Sequence, residues 1–305
     1  MKEDWKECYI KAGKAVISAK NLAKQITKPG ILLLEIAEKC ENEILNLGCE
    51  LSFPINISLN EIAAHYSPII DDKTIVPDKG LLKIDIGSHY NGYIADSAIT
   101  INIDNDEVLQ NYIDAAEEAL EAAISIFKPG TKLYELGRVI EQKIKSHHLN
   151  PIYNLGGHEL QQNNLHAGNF IPNSQDERHN AVLKEGDCYA CEPFATSGKG
   201  WVKNGKNSYI YRFKKKIQKN MSYEHLNYMN KIKDTCGNLP FSPRILEKNN
   251  LIPKNQISKI VDLFVRKGIL DHYPILIEQT GAPVSQQEHT IIIDMEGHTI
   301  VTTKE

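Results

Sequence analysis

The stretch LLKIDIGSHYNGYIADSAITINI, residues 81–103, constrains the fold more than any other part of the chain. Ile, Tyr and Ala dominate it, and Asn91-Gly92 supplies a tight turn at its middle, so it reads as two strands of a hairpin. Two acids interrupt the apolar pattern, Asp85 and Asp96. Aspartate is unfavourable within a strand, so each needs a reason. In an antiparallel pair with an even-length loop, facing residues carry numbers of odd sum. Positions 85 and 96 satisfy that parity. Both carboxylates then leave the same face, opposite or diagonally offset, roughly 5 to 8 Å apart. Like charges buried that close repel, each is desolvated at a cost, and a cation between them relieves both. An exposed hairpin with two solvated acids would carry the same spacing.

The remainder of the chain narrows the class. Its 305 residues, 41% of them hydrophobic, suffice for one large domain or two smaller ones. With 35 basic and 39 acidic residues the formal charge is −4, and no general attraction to nucleic acid or anionic membrane is expected. No apolar run approaches the about 18 residues of a membrane span. The opening segment MKEDWKECYIKAGKAV lacks the apolar core of a signal peptide, which predicts a cytoplasmic protein. Six cysteines in a chain this long are read as reduced thiols, and Cys188 and Cys191 as small packing residues rather than half of a zinc site.

A repeat organises the first two thirds. Helical patterns over residues 4–27 and 106–127 each stop at Lys-Pro-Gly, and KPGILLLEIAEK at 28–39 aligns with KPGTKLYELGRV at 128–139, an offset of 100. Ala64-His65 in the first copy meets Leu165-His166 in the second, and each copy continues into an acid-bearing strand. The pattern predicts two related α+β halves about a pseudo-two-fold axis, with a site where the acid strands meet. After residue 212 the pattern changes to a basic run, RFKKKIQK, and short helices with Pro and Asn breaks. Strand chemistry returns near His272. Residues 213–271 are therefore expected to form a winged-helix-like insert, and residues 1–212 with 272–305 the main domain.

Three further positions carry chemistry. Gly156-Gly157-His158 places a histidine after what reads as a flexible turn. Glu192 lies in the apolar run YACEPFAT, and Glu288 just precedes Ile291-Ile292-Ile293. Buried glutamates are costly unless coordinated. One histidine and four carboxylates make an oxygen-rich set that suits Mn, Fe, Co or Zn, and four carboxylates balance two divalent cations. His158-Glu159-Leu160-Gln161-Gln162 falls one residue short of H-E-x-x-H, and no dinucleotide, phosphate-loop or nucleophile-elbow motif occurs.

Taken together, FPINISLNEIAAHYSP, KIDIGSHYNGYIADSA, NLGGHEL, LHAGN, CEPFATSGKG and QQEHTIII resemble methionine aminopeptidase of type II, in a form similar to the archaeal one without a long N-terminal extension. The resemblance covers nearly the whole chain, the helical insert included. It implies the pita-bread α+β fold of two pseudo-symmetric halves and two divalent metal ions. It also implies removal of the initiator methionine from nascent polypeptides through a metal-bridged hydroxide. By motif, Asp85, Asp96, His158, Glu192 and Glu288 would be the metal ligands, with Asp96 and Glu288 bridging. His65 and His166 would flank the substrate, with Glu192 as proton shuttle. Phe53 and Leu165 would shape a methionine pocket, with Tyr273 at its mouth. Gln287 departs from the pattern, replacing an apolar residue before the last glutamate. Two alternatives stand beside this reading. One is a proline-directed aminopeptidase or prolidase. The other is a catalytically dead member acting on RNA or the ribosome through RFKKKIQK and the insert; the ribosome is the further partner to weigh.

Overall fold

The computed structural model describes residues 4–214 and 221–305. The chain opens with α1, Trp5–Ile26, capped by the Asp4 carboxylate, which accepts from the Lys6 amide. Small side chains at helical spacing, among them Ala12, Ala15, Ala19 and Ala23, give α1 a buried face that packs on α2, Leu33–Asn46. Five strands follow: β1 Glu50–Leu51, β2 Asn56–Leu59, β3 Ile62–Ala64, β4 Leu81–Tyr90 and β5 Tyr93–Asn102. β4 is the centre of the first sheet. It pairs with β5 on one edge and with β1 and β2 on the other.

The second half begins with α3, Glu107–Ser125, and α4, Leu133–Ser146. Alanines at 115, 116, 119 and 123 on α3 share one core with Leu133, Leu136, Ile140 and Ile144 of α4. Strands β6 Asn150–Pro151, β7 Gly156–Glu159, β8 Phe170–Pro172, β9 Cys188–Cys191, β10 Phe194–Thr196 and β11 Val202–Phe213 complete it. The repeat holds at atomic detail. The Gly30 amide donates to Val76 and the Gly130 amide to Leu183, both at 2.9 Å; both glycines take positive φ, 85° and 90°. Gly48 and His148, again 100 apart, both adopt left-handed backbone after their helices. Cys188 and Cys191 are buried free thiols.

Between β11 and β12 lie α5 Tyr223–Cys236, α6 Pro243–Lys248 and α7 Ile257–Arg266, which share a core of their own built on Ile232, Phe241, Leu246, Ile260 and Phe264. Most of the basic run, Lys215 to Lys219, lies outside the described residues. Strand β12, Leu270–Glu278, starts two residues earlier than the sequence pattern indicates and pairs with both β11 and β3. Three further strands end the chain: β13 Val284–Gln286, β14 His289–Ile293 and β15 Thr299–Val301. The second large sheet runs β15-β14-β9-β7-β8.

Residues 286–290 stitch the halves together. The Thr290 hydroxyl accepts from the Asp96 amide and donates to the Asp96 carbonyl, both at 2.7 Å. The Glu288 amide donates to Ala98, and the Ser97 hydroxyl donates to the Glu288 carbonyl. Among the described residues no helix is long and apolar enough to cross a membrane.

Candidate metal centre

The hairpin turn is a two-residue loop with Asn91 at φ 51° and Gly92 at 82°, the left-handed pair that an Asn-Gly turn favours. Asp85 pairs with Ala98 and Asp96 with Gly87, so the two carboxylates are diagonal neighbours on one face. Gly156 and Gly157 do not form a turn. They lie in β7, where a Cβ on Gly157 would come within 2.2 Å of the Ala190 carbonyl. The pair is there because β8 crowds Gly156, whose Cβ would lie 2.2 Å from the Ile171 carbonyl, and β9 crowds Gly157; that close packing carries His158 beside the hairpin. Glu192 follows β9 directly, and Glu288 precedes β14, held by the stitch along β5.

All ten residues singled out by sequence line one cavity of about 210 Å³: Phe53, His65, Asp85, Asp96, His158, Leu165, His166, Glu192, Tyr273 and Glu288. Ligand atoms of Asp96, His158 and Glu288 lie within 4.8 Å of one another. His158 Nε2 is 3.6 Å from Asp96 Oδ2 and 3.7 Å from Glu192 Oε1. The donor set fits a cation: Asp85 Oδ1 and Asp96 Oδ1 are buried with no hydrogen-bond partner, a state that is costly for an ionised carboxylate.

Electrostatics agrees. Burial pushes Asp85 up to about 7. Burial, reinforced by neighbouring carboxylates, holds Asp96, Glu192 and Glu288 well above the carboxylate range. Divalent charge is what lets such a set ionise together. Burial lowers His158 to about 4, so the ring is neutral at pH 7 and has a lone pair to offer.

The other two histidines of the cavity, His65 and His166, flank this cluster. The His166 ring is 4.4 Å from that of His158, and the His65 ring meets Tyr273 edge-on at 5.3 Å. Burial lowers both pKa values, with His158, His65 and Arg212 adding to the effect at His166. His65 Nδ1 lies 3.1 Å from the Pro274 carbonyl, so in the neutral ring Nδ1–H donates there and Nε2 is left as an acceptor. Tyr273 lines the cavity with its hydroxyl buried, and the Arg212 guanidinium lies over its ring at 5.3 Å.

Sequence did not single out Asn154, which lines the cavity, nor two polar residues beside the carboxylates. Gln286 Nε2 donates to Glu192 Oε2 at 3.2 Å and reaches Glu288 Oε2 at 3.5 Å. Its place two residues before Glu288, in a stretch whose sequence reads as strand, was the available signal, although Gln286 ends β13 and Glu288 lies in the link before β14. Asn56, paired in register with Asp85, leaves a buried amide oxygen without a partner in the same cavity.

The model of metallopeptidase family M24 matches residues 7–231. Methionine aminopeptidase of Pyrococcus horikoshii is 41% identical over 293 residues, 96% of this chain and 98% of that protein. The structure of methionine aminopeptidase from Thermotoga maritima superposes with a TM-score of 0.69 at 21% identity, covering 98% of this chain and 96% of that one. A thermophilic Arx1 gives 0.85 at 17% identity, covering 99% and 91%. At such identities the two structures speak for the fold, which is the pita-bread fold. Identity and coverage across the chain do more: it belongs to the methionine aminopeptidases of metallopeptidase family M24.

Proposed function

We propose that Asp85, Asp96, His158, Glu192 and Glu288 hold two divalent cations in an enzyme that removes the N-terminal methionine from nascent chains, as the family membership implies. The observation that carries this reading is the convergence of one neutral histidine and four strained carboxylates in one cavity. When bound, the cations supply Lewis acidity toward the scissile carbonyl and a nucleophile from water at neutral pH.

The other roles are those of the protein's own groups. Phe53 and Leu165 give the first side chain an apolar wall that suits an unbranched thioether. His65 Nε2, an acceptor because Nδ1 donates to Pro274, receives the amide N–H of the scissile bond. His166, neutral and on the other side, donates to the carbonyl oxygen as charge develops on it. The Glu192 carboxylate takes the proton of the attacking water and returns it to the leaving amine. Gln286 fixes the orientation of that carboxylate. Five candidate ligands in one place count against a catalytically dead member, and identity with named methionine aminopeptidases disfavours the prolidase reading.

His65→Ala and His166→Ala should each keep fold and metal content while kcat/KM for a Met-Ala-Ser peptide falls on the order of 10²-fold. Asp96→Asn should lose metal and activity together. Histidine variants that lose metal in step with activity would make these residues ligands, and variants of full activity would make them bystanders.

A further inference from the structure

Pro240 of the insert lines the cavity and Leu239 packs in one cluster with Phe53 and Leu165; a buried ion pair makes a further link. Arg244, on α6, and Glu41, on α2, have side chains only 6% and 4% exposed. The guanidinium grips the carboxylate with both ends, Nη1 to Oε2 at 2.6 Å and Nη2 to Oε1 at 2.8 Å. Neither group stops there. Arg244 Nε donates to the Pro68 carbonyl at 2.7 Å, and Nη2 reaches the Ser67 hydroxyl at 3.4 Å. Glu41 Oε1 also accepts from the Ile55 amide at 3.3 Å.

These contacts fall on two loops that carry cavity residues. Ser67 and Pro68 follow His65, and Ile55 follows Phe53 by two residues. His65 sits at φ 69°, left-handed backbone that a β-carbon disfavours and that surrounding structure must impose. A fork with four of its five donors directed is such a constraint. Lysine cannot reproduce it, because an ammonium is a point charge.

We infer that Arg244 is a positioning residue for the reaction: through Glu41, Ser67 and Pro68 the helical insert sets the place of His65. The inference rests on the reading of His65 as a substrate-contacting group. The insert is then a working part of the site and not a separable ornament, although its own core is distinct.

The test is a double-mutant cycle on the full chain loaded with Mn²⁺. Arg244→Lys, His65→Ala and the double variant are compared for metal content, Tm, and kcat and KM on Met-Ala-Ser. The imidazole NMR signals are followed as well, that of His65 being assigned by its loss in His65→Ala. Arg244→Lys should keep its metal, shift the His65 signal and lower kcat about ten- to a hundred-fold, as a displacement of about 1 Å can. In the His65→Ala background the same change should cost less than about twofold further, the mark of two residues acting as a unit. Glu41→Gln should reproduce the kcat loss if Arg244→Lys fails to fold. An equal fall in both backgrounds, or no fall and an unmoved His65 signal, overturns the inference. If His65→Ala alone costs nothing, the failure belongs to the proposed role of His65.

Discussion

Gly87 is the residue opposite Asp96 in the hairpin, and Phe53 packs against its bare α-carbon. Adding a methyl group there, Gly87→Ala, would place Cβ 2.1 Å from Phe53 Cε1 and 2.2 Å from Ser52 Oγ. Ordinary carbon contacts begin near 3.5 Å, so the ring must retreat by about 1.4 Å. Phe53 is 5% exposed and lines the cavity of about 210 Å³, which offers the ring space to retreat into. Overpacking of this kind costs about 1–3 kcal/mol, a fall in Tm of several degrees. The functional cost should exceed the stability cost, because the displaced ring takes the space of the substrate's first side chain. KM for Met-Ala-Ser should rise, with kcat much less affected and metal content unchanged. Phe53→Leu added to Gly87→Ala should recover part of the loss by shrinking the colliding group. The assay is steady-state kinetics on metal-loaded protein beside a thermal melt. Unchanged KM and Tm in Gly87→Ala would refute the reasoning, and so would a loss that Phe53→Leu deepens.

Two predictions follow from the cluster itself. Gln286→Leu removes the donor that orients Glu192 and reaches Glu288, and should weaken metal affinity about 10- to 100-fold in a competition titration with a chelating dye. Without metal, the carboxyls of Asp85, Asp96, Glu192 and Glu288 titrate above their ordinary range, so at these four groups the folded chain holds protons that the unfolded one has lost. Their contribution to the stability of the chelated protein falls as pH rises from the carboxylate range through about 7, where Asp85 titrates, while the buried histidines, lowered by burial, act in the opposite sense in both forms. Melts across this range with and without chelator should show stability falling more steeply, or rising less, with pH in chelator than with Mn²⁺; the reverse ordering contradicts it.

Much of the site could be read from sequence because its strongest signals are local. Asn91-Gly92 fixes the hairpin register, and that register puts Asp85 and Asp96 on one face whatever surrounds them. The Lys-Pro-Gly stops work similarly, since a glycine at positive φ after a helix leaves the same mark wherever it recurs. Signals that depend on distant partners were harder to see. Arg244 and Glu41 lie 203 residues apart, and nothing near either predicts the pairing. Gly156-Gly157 resembled a turn because sequence does not show how closely β8 and β9 approach β7 on its two sides. The acceptor role of His65 depends on a carbonyl 209 residues away. The neighbouring Gln287 drew attention through its departure from the family motif, whereas Gln286 carries the contacts to the carboxylates.

The stitch along β5 has a consequence for the order in which the molecule comes into being. Synthesis delivers the hairpin early, then His158, then Glu192, and Glu288 only with the strands that follow the insert. Domains fold as they emerge, N-terminal part first. A growing copy of this chain therefore holds two and then three clustered carboxylates with nothing to complete them. On the proposed ligand set, its site is complete only when residues 286–290 dock against Asp96 and Ala98. An enzyme proposed to act on unfinished proteins would then not itself work while unfinished.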